Sequence, residues 1–322
     1  MSLGEAFLGV LVVLCLMAAG FFLGKLKILP ESQEGPISTL CIKVAIPCTL
    51  FESCLRYIKR ETLQEMGPVL LLPLVSILAI WGISMLVARI FKIPKEKRGA
   101  FCMLFSLSNS IFIGLPLCRA FFGEAALPYV TVFFPSNTVI FWTIGIAALS
   151  ADGGKPYTFH PRTLAKVFSP PLVGSILGAV VALAEWPVPD FLLSSVTHVG
   201  NMTAPLSMLL TGSILSRMGK SALKLDRRGW LVLAGRFLLC PVLMLGLCLL
   251  ARQLGWLSMG DGGLILSVFT LEAAMPVMNQ SLIMARTLGA DHKWVAQMLA
   301  ISCVAALGIL PLWVYLVSNL PG

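Results

Sequence analysis

The chain has 322 residues, of which 57% are hydrophobic and only 12% are charged. A soluble domain carries about 25% charged residues, so this composition excludes an ordinary soluble fold and indicates an all-α protein that crosses a membrane several times. The net charge of +9 does not indicate a nucleic-acid partner, because the basic residues lie in short loops between apolar stretches.

Apolar stretches long enough to cross a bilayer, about 20 residues each, follow one another along the chain. The first has no basic residues before it and no small-residue cleavage site, so it is predicted to be a membrane span and not a signal peptide. The sequence predicts ten spans, at residues 5–25, 34–56, 67–91, 98–121, 126–149, 164–186, 190–216, 229–252, 261–286 and 292–318.

Lysine and arginine are distributed unequally between the two faces of this arrangement. The loops after the odd-numbered spans hold sixteen of them, whereas the opposite face holds five. Because cytoplasmic loops are enriched in lysine and arginine, the first set of loops is predicted to be cytoplasmic and both termini are predicted to lie outside.

The chain contains a weak internal repeat with a separation of five spans. Residues 116–125 at the end of span four resemble residues 281–291 at the end of span nine, and a proline-containing segment of span two resembles one of span seven. Since an odd number of spans separates the copies, the repeats are predicted to be inverted in the membrane. They would comprise residues 1–150 and 164–322, joined by a short cytoplasmic linker at 151–163.

Span four carries a polar cluster in its middle, Ser108, Asn109 and Ser110, followed by Gly114 and Pro116. A broken membrane helix is tolerated only where protein or a water-filled cavity covers it, so the break is expected to face a site. It is predicted either at the polar cluster or at the glycine and proline. Serine and asparagine are good N-cap residues, and a free helix N-terminus attracts anions. The alternative is that these side chains only hydrogen-bond neighbouring helices.

Span nine contains a second interruption at Pro276, which lacks an N–H and destabilises a helix interior. Pro276 is expected either to kink the helix or to begin a second half-helix. Val277 and Asn279 follow and are predicted to contact the same ligand. Glu272 is the only acid deep in this span, and an intramembrane acid is a functional candidate. It would bind Na⁺ or carry a proton; a salt bridge or permanent protonation is the alternative.

Three further polar residues lie within predicted spans. Lys43, midway along span two, is a candidate partner of a substrate carboxylate, with snorkelling or a structural hydrogen bond as the alternative. Asn137 in span five is predicted to line the cavity. Arg236, near the predicted cytoplasmic start of span eight, is interpreted as an interface anchor. The nine cysteines form no CxxC pair or Cys/His cluster, so neither a disulfide framework nor a metal site is expected.

These motifs resemble the auxin efflux carrier family, which includes plant auxin exporters and bacterial malate or malonate permeases. The run from Asn109 to Leu117 is similar to the Asn-Thr-x-x-x-Gly-x-Pro-Leu run of the family, and the run from Leu271 to Pro276 to its Ala-Ala-x-Pro crossover. Two departures are Ser108, where the plant exporters have proline, and Glu272, where they tend to have glutamine.

The resemblance implies a fold like that of sodium–proton antiporters and bile-acid transporters, with two inverted five-helix repeats and crossed broken helices four and nine. Helices one, two, six and seven would form a scaffold, and helices three to five and eight to ten a mobile core that moves as an elevator. By the same resemblance, Asn109 would contact a substrate carboxylate.

The sequence therefore predicts a secondary transporter of a small mono- or dicarboxylate, such as malonate or malate, in a bacterial inner membrane. No cofactor is expected apart from H⁺ or Na⁺ as the coupling ion. The expected partners are the anion, membrane lipid and a second copy bound through the scaffold helices, with no nucleic acid. A membrane-embedded anion sensor without transport and an intramembrane enzyme are the alternatives, although the enzyme would need paired acids or a His/Ser constellation near Glu272.

Overall fold

The computed structural model describes residues 3–58, 67–154, 168–217, 225–257 and 262–319, and these residues are almost entirely helical. Most of the predicted linker at 151–163 lies outside the described residues. The helices are α1 (Leu3–Lys25), α2 (Glu31–Tyr57), α3 (Val69–Ile90), α4 (Arg98–Ser106), α5 (Ser110–Phe122), α6 (Glu124–Asp152), α7 (Pro170–Leu183), α8 (Asp190–Gly200), α9 (Thr203–Ser216), α10 (Arg227–Gln253), α11 (Gly262–Ala273), α12 (Gln280–Leu288) and α13 (His292–Ser318).

Five of the helices in the described part of the chain, α2, α3, α6, α10 and α13, are long and apolar enough to cross a membrane. Helices α4 and α5 have 9 and 13 residues, and at about 1.5 Å per residue neither alone crosses a hydrocarbon core of about 30 Å. The prediction of a multi-pass helical membrane protein is confirmed, whereas the arrangement of ten spans in two inverted repeats stays a prediction.

The predicted span at 190–216 is not one continuous helix. A turn at Asn201 and Met202 separates α8 from α9. Pro205 lies in the first turn of α9, where its missing N–H removes no helical hydrogen bond. The predicted span therefore corresponds to two helices.

The chain folds as two compact units. The first contains the described residues of Met1–Gly67, Ile111–Val132 and Phe168–Met218. Within it, α1 packs closely against α9, because Gly212 lets the two backbones approach: a Cβ there would overlap the carbonyl oxygen of Met17. Small residues at such contacts are typical of membrane helix pairs.

The second unit contains the described residues of Pro68–Ser110, Phe133–Val167 and Gly219–Gly322. Its core is built on α4, which packs against α3 and α6, and on α11, which packs against α10 and α13. The fully buried rings of Phe133 and Phe269 lie 6.2 Å apart, centroid to centroid. At the start of α4 the carboxylate of Asp152 accepts hydrogen bonds from the amides of Gly99, at 2.8 Å, and Ala100, at 2.6 Å, and so caps a helix that has no cap of its own.

Candidate functional site

The first interruption lies between α4 and α5, at residues 107–109. Leu107 has an extended backbone, with φ −100° and ψ 130°, and its amide makes the last helical hydrogen bond, to Met103. The structure therefore places the break at the polar cluster, the first of the two positions that the sequence left open. Gly114 and Pro116, which were predicted as break residues, lie within α5. Its first turn, Ser110–Gly114, is a π-helix, and Pro116 is the second residue of the regular helix that follows.

The second interruption lies between α11 and α12, at residues 274–279. Pro276 stands in its extended part, and α12 begins only at Gln280. The expectation that Pro276 begins the second half-helix was therefore wrong. Proline disfavours helical geometry at the residue before it, which accounts for the non-helical Met275. Pro276 itself belongs to the paired interruptions, because its carbonyl oxygen accepts from the amide of Asn109.

The two interruptions pair with each other. Ser108 and Val277 form an antiparallel bridge, and the amide of Asn109 donates to the carbonyl oxygen of Pro276 at 2.9 Å. The amide of Val277 donates to Oγ of Ser302, on α13, at 3.1 Å. The amides of Asn109 and Val277 and the carbonyl group of Pro276 are thus bound by the other break or by a neighbouring side chain, as a buried backbone in a membrane protein requires.

Asn137, on α6, binds the backbone of the first interruption. Its Nδ2 donates to the carbonyl oxygen of Ser108 at 2.6 Å, and its Oδ1 accepts from the amide of Ser108 at 3.3 Å. The side chain is fully buried and also donates to Oγ of Ser110 at 3.3 Å. The side-chain amide therefore takes the place of a neighbouring peptide group. Sequence analysis predicted that Asn137 lines the cavity; the structure shows that it binds the backbone of the first interruption, and the contact with a cavity stays a prediction.

Asn109 and Asn279 meet across the two interruptions. Nδ2 of Asn109 donates to Oδ1 of Asn279 at 3.0 Å. Asn109 is buried, whereas Asn279 is half-buried. Asn279 stands directly before α12 but makes no side-chain cap to it, since its side-chain oxygen is bound by Asn109. Two amide side chains, each with donors and an acceptor, therefore lie next to the starts of α5 and α12.

Two ionisable residues are buried near the ends of the first half-helices. Glu272 is fully buried in the last turn of α11. Arg236, on α10, is only 1% exposed, and its guanidinium donates to the carbonyl oxygens of Phe105, at 3.3 Å, and Ala273. The interpretation of Arg236 as an interface anchor was therefore wrong. The rule that singled out Glu272, an ionisable residue inside an apolar span, applies equally to Arg236 and would have found it.

Lys43 belongs to a different compact unit of the chain from the interrupted segments. It lies in a π-helical turn of α2, Cys41–Ala45, belongs to the first unit and is exposed. The interrupted segments and Asn137 belong to the second unit. The predicted contact of Lys43 with a substrate stays a prediction.

A helical membrane protein with two paired helix interruptions and polar side chains at their junction has the architecture of a transporter. The chain matches the model of the membrane transport protein family over residues 6–314 and belongs to that family, which includes the auxin efflux carriers. The resemblance drawn from the sequence motifs is thereby confirmed. The protein is accordingly a membrane transporter and not an enzyme.

Two archaeal relatives extend over nearly the same length. An uncharacterized transporter of Methanocaldococcus jannaschii is 26% identical over 322 residues, covering 96% of this chain and 98% of the relative. An uncharacterized transporter of Methanothermobacter thermautotrophicus is 26% identical over 308 residues, covering 94% of this chain and 96% of the relative. The similarity therefore extends over nearly the whole chain and is not confined to one part of it.

Proposed function

We propose that the protein is a secondary active transporter of a small organic anion, a mono- or dicarboxylate such as malonate or malate. The observation that carries the proposal is the pairing of the two interruptions, which brings Asn109 and Asn279 together beside the starts of α5 and α12. The helix dipole is positive at the start of a helix, which favours a carboxylate there. At α12 the amides of Ser281 and Leu282 already have backbone acceptors, so the dipole and the asparagine side chains carry the argument at that helix.

A cation coupled to transport, H⁺ or Na⁺, would act at Glu272, which is fully buried one residue before the end of α11. A second carboxylate of the substrate would find a positive partner in Lys43. An elevator movement is supported by the division of the chain into two compact units, of which the second contains the paired interruptions. The first unit contains the helices of the proposed scaffold together with Ile111–Val132, a segment that the elevator assigns to the mobile core. A bacterial inner-membrane location with both termini outside, and a homodimer through the scaffold helices, complete the proposal.

Uptake into proteoliposomes tests this function. Purified protein should accumulate labelled malonate or malate inside the vesicles when a proton or sodium gradient is imposed, and unlabelled carboxylate should compete. Vesicles without protein, and vesicles with both gradients collapsed by ionophores, are the controls. Saturable binding without any flux would instead identify an anion sensor, and neither binding nor flux for a panel of small carboxylates would overturn the substrate class.

A further inference from the structure

Arg236 lies where an isolated cation is least expected. It is in a π-helical turn of α10, Gly235–Leu239, is 1% exposed, and no ion pair to it is found among the described residues. The turn has a local cause: Pro241 has no N–H for the carbonyl group of Phe237, which instead accepts from the indole of Trp313 at 2.8 Å. π-helical turns are frequent at functional sites.

The guanidinium bridges the C-terminal ends of both first half-helices. Nη1 donates to the carbonyl oxygen of Phe105, the residue before the last of α4, and Nη2 to that of Ala273, the last residue of α11. The thiol of Cys240, one turn further along α10, also donates to the carbonyl oxygen of Phe105, at 3.3 Å. The last carbonyl groups of a helix have no partner within it and carry the negative end of the helix dipole. Arg236 therefore lies where two such ends converge.

Carbonyl oxygens released by a helix break are also the ligands with which transporters bind a sodium ion. In this protein a permanently charged side chain with several N–H donors already binds two of them. A cation that entered here would have to displace the guanidinium and would meet its charge.

We propose that Arg236 is the resident cation of the two half-helix C-termini, and that anion binding at Asn109 and Asn279 consequently requires no sodium ion at these carbonyl groups. The inference rests on the proposed function, because it concerns the ion requirement of the same site. Arg236 acts as a positioning residue: it holds the ends of α4 and α11, and through them the interruptions that carry the two asparagines.

The test is malonate affinity of the detergent-solubilised protein in sodium chloride and in choline chloride, at equal ionic strength and pH. The affinity of Glu272→Gln, which lacks the proposed coupling group, should be the same within about two-fold in both salts. Arg236→Met should weaken binding about ten-fold or more in choline, and sodium should restore part of the loss. Arg236→Lys, which keeps the charge, should stay closer to wild type in choline. Arg227→Met, at an exposed arginine of the same helix, is the matched control and should behave as wild type.

Binding by Glu272→Gln that is about ten-fold or more tighter in sodium would overturn the inference while leaving the proposed function intact. The inference would also be overturned if folded Arg236→Met bound malonate in choline with the affinity of wild type. If Arg236→Met does not fold, the salt comparison in Glu272→Gln and in Arg236→Lys still decides. Absence of saturable binding of malonate and malate to wild type in either salt would overturn the proposed function, and the inference with it.

Discussion

Asn109 is the residue on which the proposed site depends most directly. Its backbone amide joins the two interruptions through Pro276, and its side chain joins them through Asn279. Both its backbone amide and its side-chain amide have a partner in the second interruption. The two functions of this residue can therefore be separated by mutation, because a substitution keeps the backbone bond and removes the side-chain amide.

Asn109→Ala should lose saturable carboxylate binding while the protein still folds. A hydrogen bond to a charged group contributes about 1.5–3 kcal/mol, so we expect an increase in Kd of roughly 10- to 150-fold. Binding is measured by thermal shift or calorimetry with malonate. Asn319→Ala, at an exposed asparagine beyond α13, is the control and should bind as wild type. Unchanged affinity in Asn109→Ala would place the site elsewhere.

Asn137 and Arg236 are also single residues on which the proposed site depends, but they act by binding backbone groups. Asn137 binds the peptide groups of Ser108, and Arg236 binds the carbonyl groups of Phe105 and Ala273. A buried peptide group without a partner is costly, so such side chains permit the irregular backbone that the site needs. They are required by the architecture even if they never contact the substrate.

At the scale of the helix, α10 packs closely against α4 where Gly235 meets Phe105. Gly235 begins the π-helical turn that holds Arg236, and a Cβ at this position would overlap the ring of Phe105. Phe105 is fully buried, so its ring has little room to move. The absence of a side chain at Gly235 therefore allows Arg236 to reach the carbonyl group of Phe105.

Gly235→Ala should destabilise the protein by about 1–3 kcal/mol, the usual range for overpacking a buried contact. It should lower the thermal midpoint in detergent. It should also weaken malonate binding, because the added methyl group displaces the α10 backbone at Gly235 and with it Arg236. Gly246→Ala is the matched control on the same helix. A Cβ at Gly246 meets no atom within 4 Å, so alanine should leave the midpoint unchanged or raise it through its higher helix propensity. A thermal midpoint of Gly235→Ala equal to that of the control would contradict this account of the contact.

At the scale of the whole molecule, transport needs binding and movement to be coupled to an ion. Glu272 is the proposed coupling residue, and its location one residue before Ala273 links it to the helix end that Arg236 holds. Binding and coupling are then properties of different groups, the asparagines and the carboxyl group. A substitution that removes only the ionisable group should separate them.

Glu272→Gln should keep the exchange of labelled for unlabelled malonate across proteoliposomes and lose accumulation driven by an ion gradient. Exchange requires only binding and movement, whereas accumulation requires the ion to be carried as well. Glu52→Gln is a suitable control, because Glu52 pairs with Arg56 at 2.7 Å in the first unit. If Glu272→Gln accumulates malonate with the ion dependence of wild type, Glu272 is not the coupling residue.

The sequence by itself determined the membrane class, the family and the location of the second interruption, and it limited the first to two positions. Apolar length specifies a span because the bilayer core has a fixed thickness, and Pro276 and the polar cluster at Asn109 mark breaks because their chemistry opposes an unbroken apolar helix. Each of these signals is local. Local signals also limit what the sequence can predict. They left two positions for the first break, and they did not reveal that α12 begins four residues after Pro276.

Only the tertiary structure decided what the broken ends bind. Ser108 pairs with Val277, Asn137 lies 29 residues from Ser108, and Arg236 lies 131 residues from Phe105. No periodicity or spacing in the sequence specifies such partners, because they are brought together by the packing of separate helices. For this reason Arg236 was predicted to anchor the interface, whereas in the folded protein it binds backbone carbonyl groups of the interrupted helices. Asn137 also binds the backbone of the first interruption, and its predicted place in the cavity stays a prediction.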